Sequence, residues 1–526
     1  MSRFRRAAHS VISGYVLLAV TAVYALATLP LALHYLSRER FALWGLMSSI
    51  GSYLSLIDLG MSGSVARLLI DHKDDRAGGI YGSLIKTGWL VLAVQGAIIF
   101  VVGFGLAPLL SNLLAIHPTL QTPTLQMEFI SLTRWQTVVL ALSFALRIFS
   151  HLLQAHQRID IINYSQIVTL VINFGLLWWF FHAGQGVFSL VWAALISSIC
   201  GALMVLGACL ALRVFPVAGA WGSPSWLLFK ELFAYGKDMF LVAAGTQLIM
   251  ASQTMIITRR LGLGPSGAWF AATRTFNLIS QAVWRFCDVS LPAFSEMIVR
   301  GERALLRERY KDVLILTASV SAFAAVAFAL SNSLFITAYT GWTRHPIDWP
   351  PINDTLLGVW MIVMAILHCH NGLVLQTKRA GFMRYIYFIE GVVFVAAALL
   401  TAKWGGLPAV IICSIVCSTA FSGAYGVWRV SLYFDLPVRE VGLSWLAPMG
   451  RVLALFVPAA MVTWWLFKGV NEPLKRLAIN GLVTGTLGLC VLLRFGLSRS
   501  LQRELLERAP TAIRPLLKWV FGGGGQ

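Results

Sequence analysis

The amino-acid sequence predicts an all-α integral membrane protein. Of its 526 residues, 58% are hydrophobic and only 12% are charged, and the mean hydropathy is +0.75. The apolar residues form repeated runs of about the 20 residues that a helix needs to cross the hydrocarbon of a bilayer. Basic residues are concentrated in alternate connections between these runs. A soluble fold with a large core does not combine these three features.

About fourteen membrane-length runs account for most of the chain. The predicted spans are residues 11–36, 41–70, 82–110, 129–153, 161–181, 187–212, 234–257, 265–296, 313–338, 355–375, 384–402, 406–428, 450–467 and 476–497. The first span is too long, and too polar at its end, for a cleaved signal peptide, so we expect it to stay in the membrane. Pro30 within it cannot donate a hydrogen bond to the Leu26 carbonyl, which predicts a hinge.

The distribution of lysine and arginine predicts the orientation of the chain. With the N-terminus in the cytoplasm, the inner segments hold 25 of these residues and the outer segments hold nine. Cytoplasmic loops of membrane proteins are enriched in basic residues. We therefore expect both termini to be cytoplasmic. The formal net charge of +19 is explained by this topology, and we expect no nucleic-acid partner.

A weak internal repeat predicts two lobes. The motif Phe41–Trp44 opens the second span and Ser266–Trp269 opens the eighth, each after a short outer turn. We predict two six-helix lobes related by a pseudo-two-fold axis along the membrane normal, with a binding site at their interface. The predicted division is an N-lobe at 1–212, a cytoplasmic interfacial linker at 213–233, a C-lobe at 234–430, two further helices at 431–498 and a basic cytoplasmic tail at 499–526.

The eighth span is more polar than lipid tolerates. Arg274, Asn277, Gln281, Arg285 and Asp288 follow one another at three or four residues, which places them on one helical face. A charge at membrane depth costs at least ~2.5 kcal/mol on insertion scales, so this row must face protein or water. The row predicts a cationic cavity for an anion. The alternative is a buried network of Arg285 with Asp288 that only locks two helices together.

Other charged residues within the spans extend this prediction. Arg147 in the fourth span and Lys237 near the predicted cytoplasmic end of the seventh are further candidates for binding an anionic substrate. Asp58, Asp288 and Glu390 are the candidate acids. They either bind Na⁺ or H⁺ and couple the transport cycle, or neutralise neighbouring arginines.

Neither a metal site nor a nucleotide site is expected. The run His368-Cys369-His370 contains metal-ligating residue types, but adjacent residues on a helix point in different directions. The seven cysteines lie in apolar segments and are interpreted as packing residues. The pattern GxxxxGK[ST] of ATP-binding loops does not occur. We expect no cofactor, apart from the candidate coupling ions.

The second span carries a family resemblance. Its runs Ser37–Gly45, Tyr53–Gly60 and Ser64–Arg67 resemble the N-terminal lobe of polysaccharide transporters and O-antigen flippases. These families belong to the multidrug/oligosaccharidyl-lipid/polysaccharide (MOP) exporter superfamily, which also contains the MATE multidrug extruders and the lipid II flippase. The resemblance implies a MATE-like fold.

The same resemblance implies a function. Such a protein moves a polyprenyl-diphosphate-linked oligosaccharide, a unit of O-antigen, capsule or exopolysaccharide, across the bacterial inner membrane by alternating access. Members of these transporter families often line their cavity with arginine and lysine. The implied partners are the lipid-linked oligosaccharide and membrane lipids, and other polysaccharide-assembly membrane proteins are further candidates. The resemblance implies a transporter and not an enzyme.

Two alternative functions belong to other classes. A MATE-type multidrug exporter shares the fold, but an acidic or aromatic cavity suits cationic drugs better. A membrane glycosyltransferase or ligase of the same pathway is also polytopic and basic. Such enzymes usually need a sizeable outer loop or an acidic pair, whereas the longest predicted outer connections, 111–128 and 339–354, are short. We therefore favour the flippase.

Overall fold

The computed structural model describes residues 3–116, 123–341, 343, 345–377, 381–470, 472–510 and 513–521. Regular secondary structure in these residues is helical, with no strand. The all-helical class predicted from the sequence is therefore confirmed. The chain divides into two compact units, Met1–Phe270 and Ala271–Gln526.

The first unit packs its helices around an apolar cluster. Val65, Leu84 and Leu152, from three different helices, are fully buried in it. The described helices of this unit are α1 (Arg3–Tyr35), α2 (Arg38–Leu54), α3 (Met61–His72), α4 (Ile80–Leu113), α5 (Leu125–Ala155), α6 (Ile159–His182), α7 (Ser189–Ala211), α8 (Trp226–Met250) and α9 (Ser252–Leu261). The next helix, α10 (Leu263–Asp288), begins in the first unit and continues into the second.

The second unit has its own apolar core. Tyr310, Cys369 and Val430 are fully buried in one of its clusters, and Phe456 belongs to another. Its described helices are α11 (Leu291–Arg300), α12 (Arg303–Thr340), α13 (Pro351–Gln376), α14 (Met383–Ser418), α15 (Ala424–Phe434), α16 (Ala447–Leu466), α17 (Pro473–Val491), α18 (Arg499–Arg508) and α19 (Arg514–Val520). A π-helical turn, Thr419–Gly423, joins α14 to α15.

Fewer helices than the fourteen predicted spans have the length and hydropathy of a membrane-crossing helix. Among the described residues, eleven helices are long and apolar enough to cross a membrane, or twelve if the bent pair of α2 and α3 counts as one span. The predicted spans 384–402 and 406–428 fall in one continuous segment, Met383–Phe434, which is kinked at Gly406 with a φ of 61°. The predicted span 265–296 corresponds to α10 and α11, which are not among these eleven or twelve spans. The row of polar residues on α10 accounts for this.

The second predicted span, 41–70, is broken in the structure. Helices α2 and α3 meet at an angle of 48°. Leu59 and Gly60 at the junction have φ values of 49° and 73°, the left-handed conformation that ends a helix. The Asp58 carboxylate accepts the backbone N–H of Ser62 at 3.2 Å, so it satisfies a donor in the first turn of α3. Asp58 therefore caps the helix that follows the break.

Polar contacts join loops that the predicted topology places on the same side. Arg76 donates to the carbonyl of Arg213 at 2.6 Å, and these residues belong to two predicted inner connections. Arg40 and Glu128, at two predicted outer ends, form a bidentate ion pair with distances of 2.9 and 2.6 Å. The helix connections are therefore consistent with the predicted alternation of sides.

The compact units do not coincide with the predicted lobes. The division falls at Phe270, and α8 and α9 belong to the first unit, whereas the repeat predicts a boundary across the linker 213–233. The compact units show which helices pack together. A sequence repeat indicates which helices of one lobe are equivalent to helices of the other. The two-lobe division therefore stays a prediction from the repeat.

Candidate functional site

The polar row of α10 lies on the exposed face of that helix. Asn277, Gln281 and Arg285 are exposed. A buried stripe runs along the other side of the helix, at the spacing that α-helical geometry requires. Its members are Thr273, Phe276, Ser280, Val283 and Cys287. The face predicted from spacing is therefore the face that the second unit leaves uncovered.

Phe276 anchors the apolar side of α10. Its ring stacks on Trp360 at a centroid distance of 5.2 Å and meets the Phe328 ring edge-on at 6.1 Å. Phe286 is 43% exposed and therefore lies outside this buried stripe.

Arg285 is a cation without a counter-ion in the described part of the chain. Its side chain is exposed, and neither a salt bridge nor a hydrogen bond to a described residue compensates it. Asp288, the partner considered in the locking alternative, is engaged elsewhere. Its Oδ1 lies 2.6 Å from Nε2 of His368 on α13. The Arg285–Asp288 lock is therefore not formed.

An aromatic contact holds His368 in place. The Trp284 ring stacks on the imidazole with a centroid distance of 5.0 Å and an interplanar angle of 11°. Asp288 and His368 side chains are 39% and 32% exposed, so the pair is partly accessible. The arrangement keeps a carboxylate away from Arg285, although the two residues are only three positions apart on α10.

Arg274 has a different environment. It is half-buried and lies close enough to the Tyr339 hydroxyl of α12 to interact with it electrostatically. Eleven residues of helix separate Arg274 from Arg285, about 16 Å along the axis. The two arginines therefore offer two positions for negative charge, of which Arg285 is the more accessible.

Arg147 belongs to a charged cluster in the first unit. Its guanidinium lies over the Phe144 ring at 3.9 Å from the centroid. Asp58 and His151 are near enough to interact with it electrostatically. The structure thus brings together Asp58 and Arg147, which the sequence analysis treated as separate candidates.

The remaining candidates have mixed outcomes. Glu390 is 1% exposed, and its carboxylate accepts the backbone N–H of Ser422 at 3.1 Å in the π-helical turn. Pro30 is buried within α1, which continues as a helix to Tyr35. The side chain of Lys237 lies outside the described residues. Substrate binding by this lysine, a hinge at Pro30 and ion coupling by Glu390 stay predictions.

Two polar groups were missed by the sequence analysis. His368 was considered only as a metal ligand, and no local signal links it to Asp288, 80 residues away. Asp354 ends the predicted outer connection 339–354, but it is fully buried and accepts hydrogen bonds from Asn332 and Trp349, both at 2.7 Å. Within the described chain, no cluster of three or more His, Cys, Asp or Glu residues is arranged for a metal ion.

Known transporters share this fold. The lipid II flippase MurJ, in an inward closed conformation, superposes with a TM-score of 0.68 over 92% of this chain and 98% of its own, at 11% identity. An inward-facing MATE multidrug transporter of the MOP superfamily gives a TM-score of 0.64 over 78% of this chain and 96% of its own, at 14% identity. A Vibrio cholerae MATE transporter gives 0.55 over 82% and 96%, at 17% identity. The fold is that of the multi-pass MOP transporters.

The family follows from the sequence itself. The model of the family described as "Polysaccharide biosynthesis protein" matches residues 36–344, more than half of the chain. The chain therefore belongs to this polysaccharide biosynthesis protein family. The matched range includes both the broken second span and the polar row of α10. No significant match is found among curated proteins.

Proposed function

We propose that this membrane transporter flips a polyprenyl-diphosphate-linked oligosaccharide from the cytoplasmic to the periplasmic leaflet of a bacterial inner membrane by alternating access. The observation that carries the proposal is Arg285, an exposed cation on α10 without a counter-ion in the described chain. Such a charge is costly in lipid, so it indicates an anionic ligand or water at this face. The family and the fold it shares with MurJ support the same substrate class.

The chemistry of α10 suits both parts of such a substrate. A guanidinium keeps its charge in a low-dielectric site and donates two parallel hydrogen bonds to phosphate oxygens. Asn277 and Gln281, exposed on the same face, carry amides that donate to and accept from sugar hydroxyls. A diphosphate bound at Arg285, with its sugars bound by the neighbouring amides, therefore accounts for the composition of the polar row on α10.

The intramembrane acids leave two alternatives for energy coupling. Asp288 with His368, and Asp58 with Arg147, each place an ionisable acid beside a basic group. These acids either exchange Na⁺ or H⁺ during the cycle or set the net charge of the neighbouring site. A multidrug exporter is the competing function for this fold, and the cationic face of α10 disfavours it because cationic drugs would be repelled.

A reconstituted flipping assay tests the proposed function. We expect proteoliposomes with the purified full-length protein to move a fluorescent polyprenyl-diphosphate oligosaccharide to the leaflet where a membrane-impermeant quencher reaches it. Protein-free liposomes and liposomes with heat-inactivated protein are the controls. Export of a cationic dye, with no movement of the glycolipid, would support the multidrug alternative and contradict the proposal.

Cysteine labelling tests the proposed orientation, with both termini in the cytoplasm. Single cysteines at Asp74 and Arg503 are expected to react with an impermeant maleimide only after the cells are opened. Cysteines at Pro123 and Ile352 are expected to react in intact spheroplasts, because their loops are predicted to be periplasmic. The background replaces the exposed native Cys490 with serine. Reaction of all four positions from one side would rule out this topology.

A further inference from the structure

A long apolar groove lies along α4 in the first unit. It encloses about 620 Å³. Its walls come from the break between α2 and α3, from α4 and from the start of α8. Residues that shape it include Leu59, Met61, Leu90, Val94, Ile98 and Phe229. The lining is almost wholly hydrocarbon, so the groove suits an apolar chain.

The depth of the groove matches one leaflet. On α4 it extends from Thr87 to Ile98, which is about 16 Å along a helix axis. The hydrocarbon core of a bilayer is about 30 Å thick, so this length is close to half of it. Leu90 and Val94 are 46% and 50% exposed, which shows that the groove is open along its side. A lipid chain of one leaflet could therefore enter laterally.

One end of the groove is built by the connection before α8. The N–H of Ser225 donates to Oγ1 of Thr87 at 3.0 Å, and the N–H of Ser223 donates to Oγ of Ser83 at 3.1 Å. Gly222 adopts a φ of 54° and has no room for a side chain, because an added Cβ would lie 2.6 Å from the Gly79 carbonyl oxygen. The connection is thus fixed onto the first turns of α4.

Two lysines lie at this end. Lys86 donates to the carbonyl of Gly222 at 2.9 Å, which uses one of the three donors of its ammonium. Lys230 extends over Trp226, with its Nζ 5.9 Å from the ring centroid. Thr87 and Trp226, which line the groove, adjoin these two cations. The groove therefore combines an apolar body with a cationic mouth.

We propose that this groove binds an acyl chain of an anionic phospholipid, with its phosphate held by Lys86 and Lys230. The leaflet is the one that contacts the connection before α8, which the topology predicts to be cytoplasmic. The site is separate from the polar face of α10 and does not depend on which molecule is transported. Because the groove is about as long as one leaflet is deep, it fits a phospholipid acyl chain better than a long polyprenyl chain.

Occupancy would also act on the broken span. Leu59 and Met61 line the groove on both sides of the break, and Gln95, a further lining residue, donates to the backbone carbonyl of Asp58 at 2.9 Å. A chain packed there contacts both half-helices at their junction. Bound phospholipid therefore stabilises the bend between α2 and α3.

Native mass spectrometry of the full-length protein in detergent tests the site. The probes are phosphatidylglycerol and phosphatidylcholine with identical acyl chains. We expect tighter binding of phosphatidylglycerol, and a loss of at least tenfold in Val94→Trp, which fills the groove. Val101→Trp is the matched control, because Val101 is 67% exposed on the same helix and lies outside the groove. It should bind as the wild type does.

A second experiment measures how much the two lysine charges contribute to phosphatidylglycerol binding. The double variant Lys86→Gln/Lys230→Gln should weaken phosphatidylglycerol binding roughly thirtyfold, since a basic residue near an anionic lipid contributes about 1 kcal/mol and about 1.4 kcal/mol is tenfold. Phosphatidylcholine binding should change little.

Equal binding of phosphatidylglycerol by Val94→Trp and Val101→Trp, at unchanged thermal midpoints, would overturn the site. Leu90→Trp gives a second filled groove if Val94→Trp does not fold. Stronger retention of a polyprenyl phosphate than of phosphatidylglycerol would overturn the assignment to a phospholipid.

Discussion

Replacement of Arg285 by alanine is expected to lower glycolipid flipping by more than tenfold while the amount of protein in the membrane stays close to that of the wild type. A charge-assisted hydrogen bond contributes about 1.5 to 3 kcal/mol, and 1.36 kcal/mol corresponds to tenfold. Because Arg285 is exposed and has no counter-ion among the described residues, its removal strands no buried group. The rate in proteoliposomes and the membrane level are measured together.

Arg285→Lys separates charge from geometry. A lysine ammonium is a point charge and cannot form the two parallel hydrogen bonds of a guanidinium, so we expect a partial loss. Arg439→Ala is a matched control, because Arg439 is exposed, lies outside the membrane-spanning helices and likewise has no partner among the described residues. It should flip at the wild-type rate. Normal flipping by both Arg285 variants at normal abundance would remove the reason for placing the diphosphate on α10.

Replacement of His368 by alanine is expected to slow flipping about three- to fivefold through Asp288. Without the imidazole, the Asp288 carboxylate is free to pair with Arg285, three residues away on the same helix. A partly exposed ion pair contributes up to about 1 kcal/mol, which sets this magnitude. The double variant His368→Ala/Asp288→Asn should recover most of the rate, because the competing carboxylate is gone.

His182→Ala controls for the loss of an aromatic contact. His182 stacks on Trp178 at 5.8 Å and 9°, much as His368 stacks on Trp284, and it forms no ion pair with a described residue. Flipping by this variant should be unchanged. If the double variant stays as slow as His368→Ala at equal abundance, neutralisation of Arg285 is not the cause. Loss of flipping in Asp288→Asn alone would instead favour ion coupling by Asp288.

The polar face of α10 could be predicted because helical geometry is local. Spacings of three and four residues placed Asn277, Gln281 and Arg285 together, and the structure exposes these residues while it buries Phe276 and Val283. The prediction needed only the period of the helix. The substrate that contacts this face stays a proposal.

The break at Leu59 and Gly60 shows where local patterns are insufficient. Apolar and small residues continue across the junction, so the sequence predicts one uninterrupted span over 41–70. The structure bends it by 48°, with Asp58 capping the second half. A left-handed pair of residues is a property of the backbone, and hydrophobic periodicity does not detect it.

The sequence alone determined the membrane class, the helical architecture, the polar face of α10 and the resemblance to polysaccharide transporters, because each depends on composition or short-range spacing. Only the tertiary structure decided which charges meet. It brought Asp58 near Arg147 and paired Asp288 with His368, so that Arg285 is left without a counter-ion in the described chain. Such pairings join residues on different helices, and their geometry depends on how the helices pack and not on any pattern within one helix.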